Sequence, residues 1–449
     1  MGLHFARPST ITIKKFLVFF IFFANIIVIF WLWWSKSHYY IQNPADGNLI
    51  IALGRITGLL AEYFILTQLI LIGRIRPIEH LWGFDRLNKL HRFIGYSVVT
   101  FLLIHPLLLT VGYAQSYGVS YLSQFGDFLA NKNGVFLSFF SVVLFIFVIF
   151  ISIAIVRRKL RYETWYFTHL LTYLAIGLAV KHQLGTGDLQ GGWPLYYWYV
   201  LNFGVFGLML TYRFVRPLVR FAYHRFIVEK VVQETYDTWS IYISGKNMEH
   251  FIFEAGQYIN ITVLRKDMWY THPFSFSAAY NGNSIRLTIK ALGDYTKKIA
   301  TLQPGTHVIV DGPLGLFTEE RADREKFLFI AGGIGITPIR AMLETLAFEK
   351  KDAILLYGNK SERDITFKQE LDAIHEYAPT IVVRHILGTP TPGYESGFID
   401  KEKIVRLAPD FYTREVYLCG PPVMMNLMVG HLKGLGFDAH HIHYEKFSF

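Results

Sequence analysis

Across 449 residues there is one cysteine, Cys419. A chain with a single thiol forms no internal disulfide, ligates no cysteine-bound iron–sulfur cluster and builds no all-cysteine zinc site. Any redox metal must therefore be held by other side chains. Charge is scarce as well: Asp, Glu, Lys and Arg make up 17% of the chain against 52% hydrophobic residues. The scarcity is uneven. Phe, Ile, Leu, Val, Trp and Tyr dominate to about residue 215, and mixed charge with Gly/Pro punctuation follows, which reads as a membrane half and a water-soluble half. No calcium-binding loop and no proline-rich tail is present, so activity is expected to be constitutive or set by cofactor supply. The formal charge of +10 does not point to nucleic acid, because the basic residues mostly flank apolar runs.

Six apolar segments are separable, at about 11–34, 49–72, 90–113, 135–156, 165–183 and 194–215. Each is near the ~20 residues that a bilayer-spanning helix needs. The first is long and lacks a small-residue cleavage site, so an anchor is expected and not a signal peptide. The N-terminal tail and alternate loops carry Arg7, Lys14, Lys15; Arg74, Arg76, Arg86, Lys89, Arg92; Arg157, Arg158, Lys159, Arg161; and Arg213, Arg216, Arg220, Arg225. The remaining loops carry Lys36, Lys132 and Lys181. Sixteen cations against three predict a multi-pass protein of the cell membrane with both termini and the soluble half in the cytoplasm.

Helices three and five then run in the same direction. "HRFIGYSVVTFLLIH" places His91 and His105 at its two ends, and "HLLTYLAIGLAVKH" places His169 and His182 likewise. The helical rise is about 21 Å in the first and about 20 Å in the second, so the pairs match in depth. Ionisable groups within a membrane are costly, and neutral imidazole is a frequent axial ligand of haem iron. Two stacked bis-histidine haems are predicted, His91 with His169 on the inner side and His105 with His182 on the outer; the bland alternative is interhelical hydrogen bonding. Around an ideal helix the first pair lies about 40° apart but the second about 140°. Helix five must therefore bend or distort, with Gly177 as the expected place. Arg55, a little inside the outer end of helix two, is expected to clamp a haem propionate or to serve an extracellular acceptor; the alternative is a snorkelling arginine.

In the soluble half, "WSIYIS", "YINITVL", "IRLTIK" and "HVIVDGP" read as strands of a small antiparallel barrel. "KFLFIAGGIGITPIRAML" reads as a buried strand, a glycine-rich turn and a helix, followed by further strands alternating with helices. This is a parallel α/β nucleotide domain whose turn, Gly332, Gly333 and Gly335, lets backbone approach a pyrophosphate at a helix N-terminus.

The order "HPFSFSA", "KALGDYT", "VDGPLG", "AGGIGITP", "YLCGPP", "YEKFSF" resembles the ferredoxin-NADP reductase module. Joined to the six-helix half, it resembles the ferric reductase and NADPH oxidase superfamily over about residues 49–449. "RYETWYFTHLL" is similar to the oxidase family and places His169 at a haem-ligand position, with His91, His105 and His182 in the other three. The resemblance implies a multidomain membrane protein: an all-α six-helix transmembrane domain over 1–220, an antiparallel β-barrel FAD domain over 221–318 and an α/β parallel-sheet NAD(P)H domain over 319–449. It implies that His272, Pro273, Phe274 and Ser275 cradle the flavin, with Ser275 near the isoalloxazine and His272 where soluble reductases usually carry arginine. Gly293 and Thr296 would meet the FAD pyrophosphate. Gly332, Gly333, Gly335, Thr337 and Pro338 would hold the nicotinamide cofactor's pyrophosphate, and Cys419, Gly420 and Pro421 would lie near its nicotinamide. Cys419 is equally a small packing residue. Lys360, Ser361 and Arg363 favour the 2′-phosphate of NADPH over NADH, and Phe447, or else Phe449, would cover the flavin ring.

The implied activity is electron transfer from cytoplasmic NAD(P)H through FAD and two b-type haems to an acceptor beyond the membrane, either O2 or a ferric chelate. No dedicated iron-binding cluster appears in "SKSHYYIQNPADGN" or "GTGDLQGGW". Two readings from another class stand beside it: a haem subunit passing electrons to a partner protein, and a proton-coupled transporter, which would not need the fused flavin and nucleotide motifs.

Overall fold

The computed structural model describes residues 7–43, 45–153, 159–160, 162–184 and 187–444. Two compact units divide the chain, residues 1–81 with 86–211 and residues 82–85 with 212–449.

The first unit is helical. α1 (Arg7–Gln42), α2 (Asn48–Ile72), α3 (Arg76–Trp82), α4 (Phe84–Tyr117), α5 (Tyr121–Asn131) and α6 (Val135–Ser152) precede helices Tyr162–His169, Leu171–Gln183 and Gly192–Leu210. Among the described residues four helices are long and apolar enough to cross a membrane: Ile11–Gln42 within α1, α2, α4 and α6. Six were expected. The fifth segment is divided, and the sixth carries Tyr196, Tyr197, Trp198, Tyr199 and Asn202, which lower its hydropathy. The short α3 and α5 have no counterpart in the sequence reading. Outward residues of α1 such as Phe16, Phe20, Phe23 and Ile27 are more than half exposed, a surface suited to lipid and costly in water.

α2 is the most buried of these four helices. Its Gly54 and Gly58 form a small-xxx-small pair against α4: a Cβ on Gly54 would sit 2.8 Å from the Leu109 side chain, and one on Gly58 2.5 Å from the His105 ring. Missing side chains here let the two backbones approach. The division of the fifth segment falls at Leu170, immediately after His169. There the Tyr173 amide bonds to the Leu170 carbonyl at 3.0 Å and the Thr172 hydroxyl to the His169 carbonyl at 2.8 Å, three residues apart in each case. Gly177, the expected place of distortion, lies inside the regular helix Leu171–Gln183.

In the second unit, helix Arg216–His224 leads into β1 (Ile227–Thr235), β2 (Thr238–Ser244), β3 (Tyr258–Val263), β4 (His272–Ser275), β5 (Ile285–Lys290) and β6 (Val308–Leu314). They form two three-stranded antiparallel sheets, β1-β2-β5 and β4-β3-β6. Bridges Ile227–His307 and Phe276–Leu287 join them. Alternate residues such as Ile241, Ile243, Ile259, Ile261, Ile285 and Leu287 fill the shared core. A six-stranded parallel sheet follows, in the order β10 (Glu395–Ser396), β9 (Ile381–Leu387), β8 (Asp352–Asn359), β7 (Lys326–Gly332), β11 (Glu415–Cys419), β12 (Ile442–Tyr444). Strand order reverses at β7, whose carboxyl end is where a ligand crevice opens in such sheets.

A buried ionic network ties the two parts of this unit. Arg286 on β5 donates to Glu234 at 2.7 Å and to both Glu370 oxygens at 2.8 Å. Arg340, on helix Ile336–Phe348, reaches Glu370 at 2.8 Å and the Ser277 carbonyl at 3.1 Å.

Candidate redox site

The four histidines form two pairs across helices. Ring centres of His91 and His169 lie 6.4 Å apart, and those of His105 and His182 6.2 Å apart. Two imidazoles sharing one metal ion through bonds of about 2 Å bring their ring centres to roughly 6 Å. Each pair thus has the spacing for one iron.

Hydrogen bonding orients two of these rings. His105 Nδ1 lies 2.7 Å from the Gly54 carbonyl, which only accepts. The proton is therefore on Nδ1 and the Nε2 lone pair is left for a ligand bond. His169 Nδ1 lies 3.1 Å from Ser152 Oγ. That hydroxyl donates to the Val148 carbonyl at 2.8 Å and accepts from Trp165 Nε1 at 3.3 Å. With its one proton committed, Ser152 accepts from His169, which again leaves Nε2 free. His91 Nδ1 is buried without a hydrogen-bond partner among the described residues, and Gln68 holds its backbone by donating to the His91 carbonyl at 2.8 Å. On the far side Gly134, at φ +77°, packs against the backbone of His182, with a Cβ there only 2.6 Å from its nitrogen. These groups fit two haems, and Ser152, Gly54 and Gln68 were missed by sequence reasoning. Gly54 carried a signal, the G-x-x-x-G of "LGRITGLL".

Arg55 is engaged within the protein. Its Nε donates to Asp188 Oδ2 at 3.0 Å and its Nη2 reaches Oδ1 at 2.8 Å, while Ser37 donates to Oδ1 at 3.1 Å. Asp188 is 4% exposed, and Arg55 also lies 5.4 Å from the Tyr40 ring centre. The fork expected to meet a propionate is thus taken by a carboxylate from the 187–189 turn. Glu62, buried on α2, accepts from Gln183 at 2.8 Å, and Gln183 in turn accepts from Trp198 at 3.2 Å.

In the second unit, His272, Pro273, Phe274 and Ser275 constitute β4, hydrogen-bonded in register with β3. Tyr295 packs against His272 at 3.8 Å between ring centres. Gly293 caps the short helix Asp294–Lys297, and a Cβ there would meet no atom within 4 Å, so its backbone is open to a ligand. Thr296 Oγ1 accepts from the Leu292 and Gly293 amides at 3.0 and 2.9 Å, which shapes the turn.

The two nucleotide motifs meet through their glycines. A Cβ on Gly335 would lie 2.3 Å from the Cys419 carbonyl oxygen and 2.7 Å from the Gly420 nitrogen. Backbone packing of this closeness brings Cys419, Gly420 and Pro421 beside the turn. Gly333 differs: its φ is +51° and nothing lies within 4 Å of a Cβ, so it faces open space ahead of helix Ile336–Phe348. Thr337 hydroxyl donates to the Ile334 carbonyl at 3.1 Å, and Pro338 sits in the first turn. Cys419 is buried at the end of β11. Lys360 and Arg363 are exposed after β8; Arg363 lies 5.2 Å from the Tyr236 ring centre, and Ser361 donates to Asp364. Phe447, Phe449, Arg157, Arg158 and Arg161 lie outside the described residues.

An apolar helical domain with paired imidazoles, followed by flavin- and nucleotide-type sheets, defines a membrane protein with a flavin- and nucleotide-binding module. Residues 57–180 match the family described as ferric reductase like transmembrane component, residues 225–317 an FAD-binding domain and residues 329–429 an oxidoreductase NAD-binding domain. The chain has the domain architecture of the ferric reductase and NADPH oxidase superfamily, a ferric-reductase-like membrane segment followed by FAD- and NAD-binding domains. It is 31% identical over 237 residues to the glycine betaine monooxygenase reductase subunit of Pseudomonas aeruginosa, covering 49% of this chain and 63% of the relative. It is 37% identical over 145 residues to NADH-cytochrome b5 reductase 1 of Dictyostelium discoideum, covering 31% of this chain and 50% of the relative. The chain thus spans less than two thirds of the length of either. Among solved structures, an Amycolatopsis cytochrome P450 reductase is 25% identical at a TM-score of 0.44, covering 50% of this chain and 71% of that one.

Proposed function

We propose that the protein carries electrons from cytoplasmic NAD(P)H across the cell membrane to molecular oxygen, through FAD and two b-type haems held by His91 with His169 and by His105 with His182. The observation that carries this reading is the pair of imidazole couples, 6.4 and 6.2 Å between ring centres. When bound, the flavin supplies conversion of a hydride's electron pair into single electrons, and the haems supply one-electron transfer. The chain's own residues do the rest. Gly54 and Ser152 keep a proton on Nδ1 of His105 and His169 and so keep Nε2 available. His272, Pro273, Phe274 and Ser275 present one edge of a sheet to the flavin, and Gly293 with Thr296 presents amides to its pyrophosphate. Gly332, Gly333, Gly335, Thr337 and Pro338 place the nicotinamide cofactor's pyrophosphate at a helix N-terminus. Gly420 and Pro421, beside the buried Cys419, border its nicotinamide. Lys360 and Arg363 favour a 2′-phosphate, hence NADPH, and Phe447 or Phe449 covers the flavin. In this reading the membrane domain runs to about residue 220 with six spans and both termini inside, and an FAD barrel over 221–318 precedes the nucleotide domain.

Oxygen is preferred over an anionic ferric chelate because Asp188 already neutralises Arg55. A small neutral acceptor needs no free cation; a chelate carrying carboxylates does.

Purified membranes reduced with dithionite should show low-spin haem bands at two haems per chain, with half lost in His105→Ala or His182→Ala. Absence of those bands overturns the reading. NADPH-driven cytochrome reduction sensitive to superoxide dismutase is expected to exceed ferrozine-trapped Fe(II). The reverse result makes the acceptor a ferric chelate, and no reduction of either favours a partner protein.

A further inference from the structure

We propose that Asp323, His440 and His441 bind one divalent first-row cation of the zinc class. The three residues can each offer a ligand atom, and these atoms lie within 4.8 Å of one another. His440 Nδ1 is 3.6 Å from Asp323 Oδ2, and the two histidine rings are 5.3 Å apart at 85°. Consecutive histidines rarely converge. Here they do because Ala439–His441 is a single 3-10 turn, fixed by Asp438, whose carboxylate accepts from the His440 amide at 2.9 Å.

A second carboxylate sits behind the cluster. Glu415, 0% exposed, lies 3.0 Å from His441 Nδ1 and also bonds His443 Nε2. The Glu415 carboxylate faces His441 Nδ1, so Nδ1–H donates and Nε2 turns its lone pair outward. A buried carboxylate orienting a histidine whose other nitrogen faces a metal is the usual outer-sphere arrangement. Two nitrogens and one carboxylate oxygen suit zinc or its neighbours better than magnesium or calcium, which take oxygen ligands. Side-chain exposure of 72% for His440 and 58% for Asp323 leaves coordination positions to water and makes the ion exchangeable. Occupancy would link the segment before β7 to the turn before β12, the strand beside β11.

The test uses the full-length, cofactor-loaded protein in detergent, stripped with chelator and titrated with ZnCl2 against a competing colorimetric zinc indicator. Expected are one zinc per chain and binding at least about 10-fold weaker in Asp323→Asn and His440→Ala. Glu415→Gln should weaken binding about 10–100-fold. His250→Ala, which removes an exposed imidazole 3.7 Å from Glu249, should change nothing. Millimolar Mg2+ should not compete. Asp323 and His440 are exposed, so their variants are expected to keep wild-type flavin absorption, and a variant that loses it is replaced by His440→Gln. Wild-type stoichiometry and affinity in the Asp323→Asn/His440→Ala double variant would overturn the proposal, as would equal loss in His250→Ala.

Discussion

Gly335→Ala should disable the nucleotide end of the electron path while Gly333→Ala, two residues earlier, should be far milder. At position 335 the added methyl would lie 2.3 Å from the Cys419 carbonyl oxygen and 2.5 Å from its carbon. Both atoms belong to the backbone of a strand inside a six-stranded sheet, so no rotamer change relieves the contact. Restoring ordinary separation requires roughly 1 Å of relative movement between the turn and the Cys419–Pro421 segment. Overpacking of this kind costs about 1–3 kcal/mol of stability. A displacement of ~1 Å next to the reacting ring also costs about 100-fold in rate, or ~2.7 kcal/mol of barrier. At position 333 the methyl meets nothing within 4 Å, and the penalty is the left-handed backbone at φ +51°, about 1–2 kcal/mol. The assay is NADPH-driven ferricyanide reduction, which draws electrons from the flavin and bypasses the membrane domain. A fall in kcat/KM of about 100-fold is expected for Gly335→Ala. Wild-type kcat/KM in that variant, with an intact flavin spectrum, would refute the placement of Cys419, Gly420 and Pro421 beside the nicotinamide.

Asp188→Asn leaves the Arg55 guanidinium buried without its carboxylate and should lower stability in detergent by about 3–5 kcal/mol, most of it recovered in Arg55→Met/Asp188→Leu; a double variant as weak as the single contradicts this. Ser152→Ala removes the acceptor of His169 Nδ1 and should weaken haem retention about 10-fold and move the midpoint potential of one haem, with partial rescue by Ser152→Thr; an unchanged potentiometric titration argues against the assignment. Lys360→Ala/Arg363→Ala should cut the preference for NADPH over NADH by about 10–100-fold in kcat/KM, the value of one or two charge-assisted bonds. Burial raises the Glu370 carboxyl, but the bonds from Arg286 and the charge of Arg340 outweigh it and leave it below the ordinary range. Its contribution is therefore present above about pH 4.3 and lost as pH falls through the lower folded value. Glu370→Gln should flatten the urea midpoint, followed by flavin release, across that acid range.

What is legible in the sequence is whatever a single segment makes costly or distinctive. Four imidazoles in apolar runs stand out because lipid penalises polar groups, and the glycine turn stands out because it follows a buried strand. Asp188 does not: "GTGDLQGGW" has the composition of any surface loop, and the burial of this carboxylate depends on Arg55, 133 positions earlier. Ser152 is equally silent, since a serine near the end of α6 most often bonds its own helix, as this one does through Val148. Only the fold reveals that the same oxygen also orients His169. Long-range pairs such as Arg286 with Glu370, 84 positions apart, are hidden for the same reason. The Gly54-x-x-x-Gly58 stripe was readable in principle, and its consequence, a backbone carbonyl delivered to His105, was not.

The fifth apolar segment shows how a site can distort the pattern used to find it. An unbroken helix with thirteen residues between histidines would point them about 140° apart, whereas the fourteen-residue spacing in α4 leaves about 40°. Two rings on one partner helix cannot both be met by rings facing nearly opposite ways. At Leu170, directly after His169, the segment divides into helices of eight and thirteen residues, Tyr162–His169 and Leu171–Gln183, and both of its histidine rings still meet their partners on α4. Neither is long enough to be recognised as a span by length and hydropathy, although together they occupy the depth that α4 covers continuously. The backbone groups released at the break are bonded locally, by Tyr173 to Leu170 and by Thr172 to His169, as a membrane interior demands. A segment that falls short of membrane length here is therefore one that still brings two imidazoles to α4.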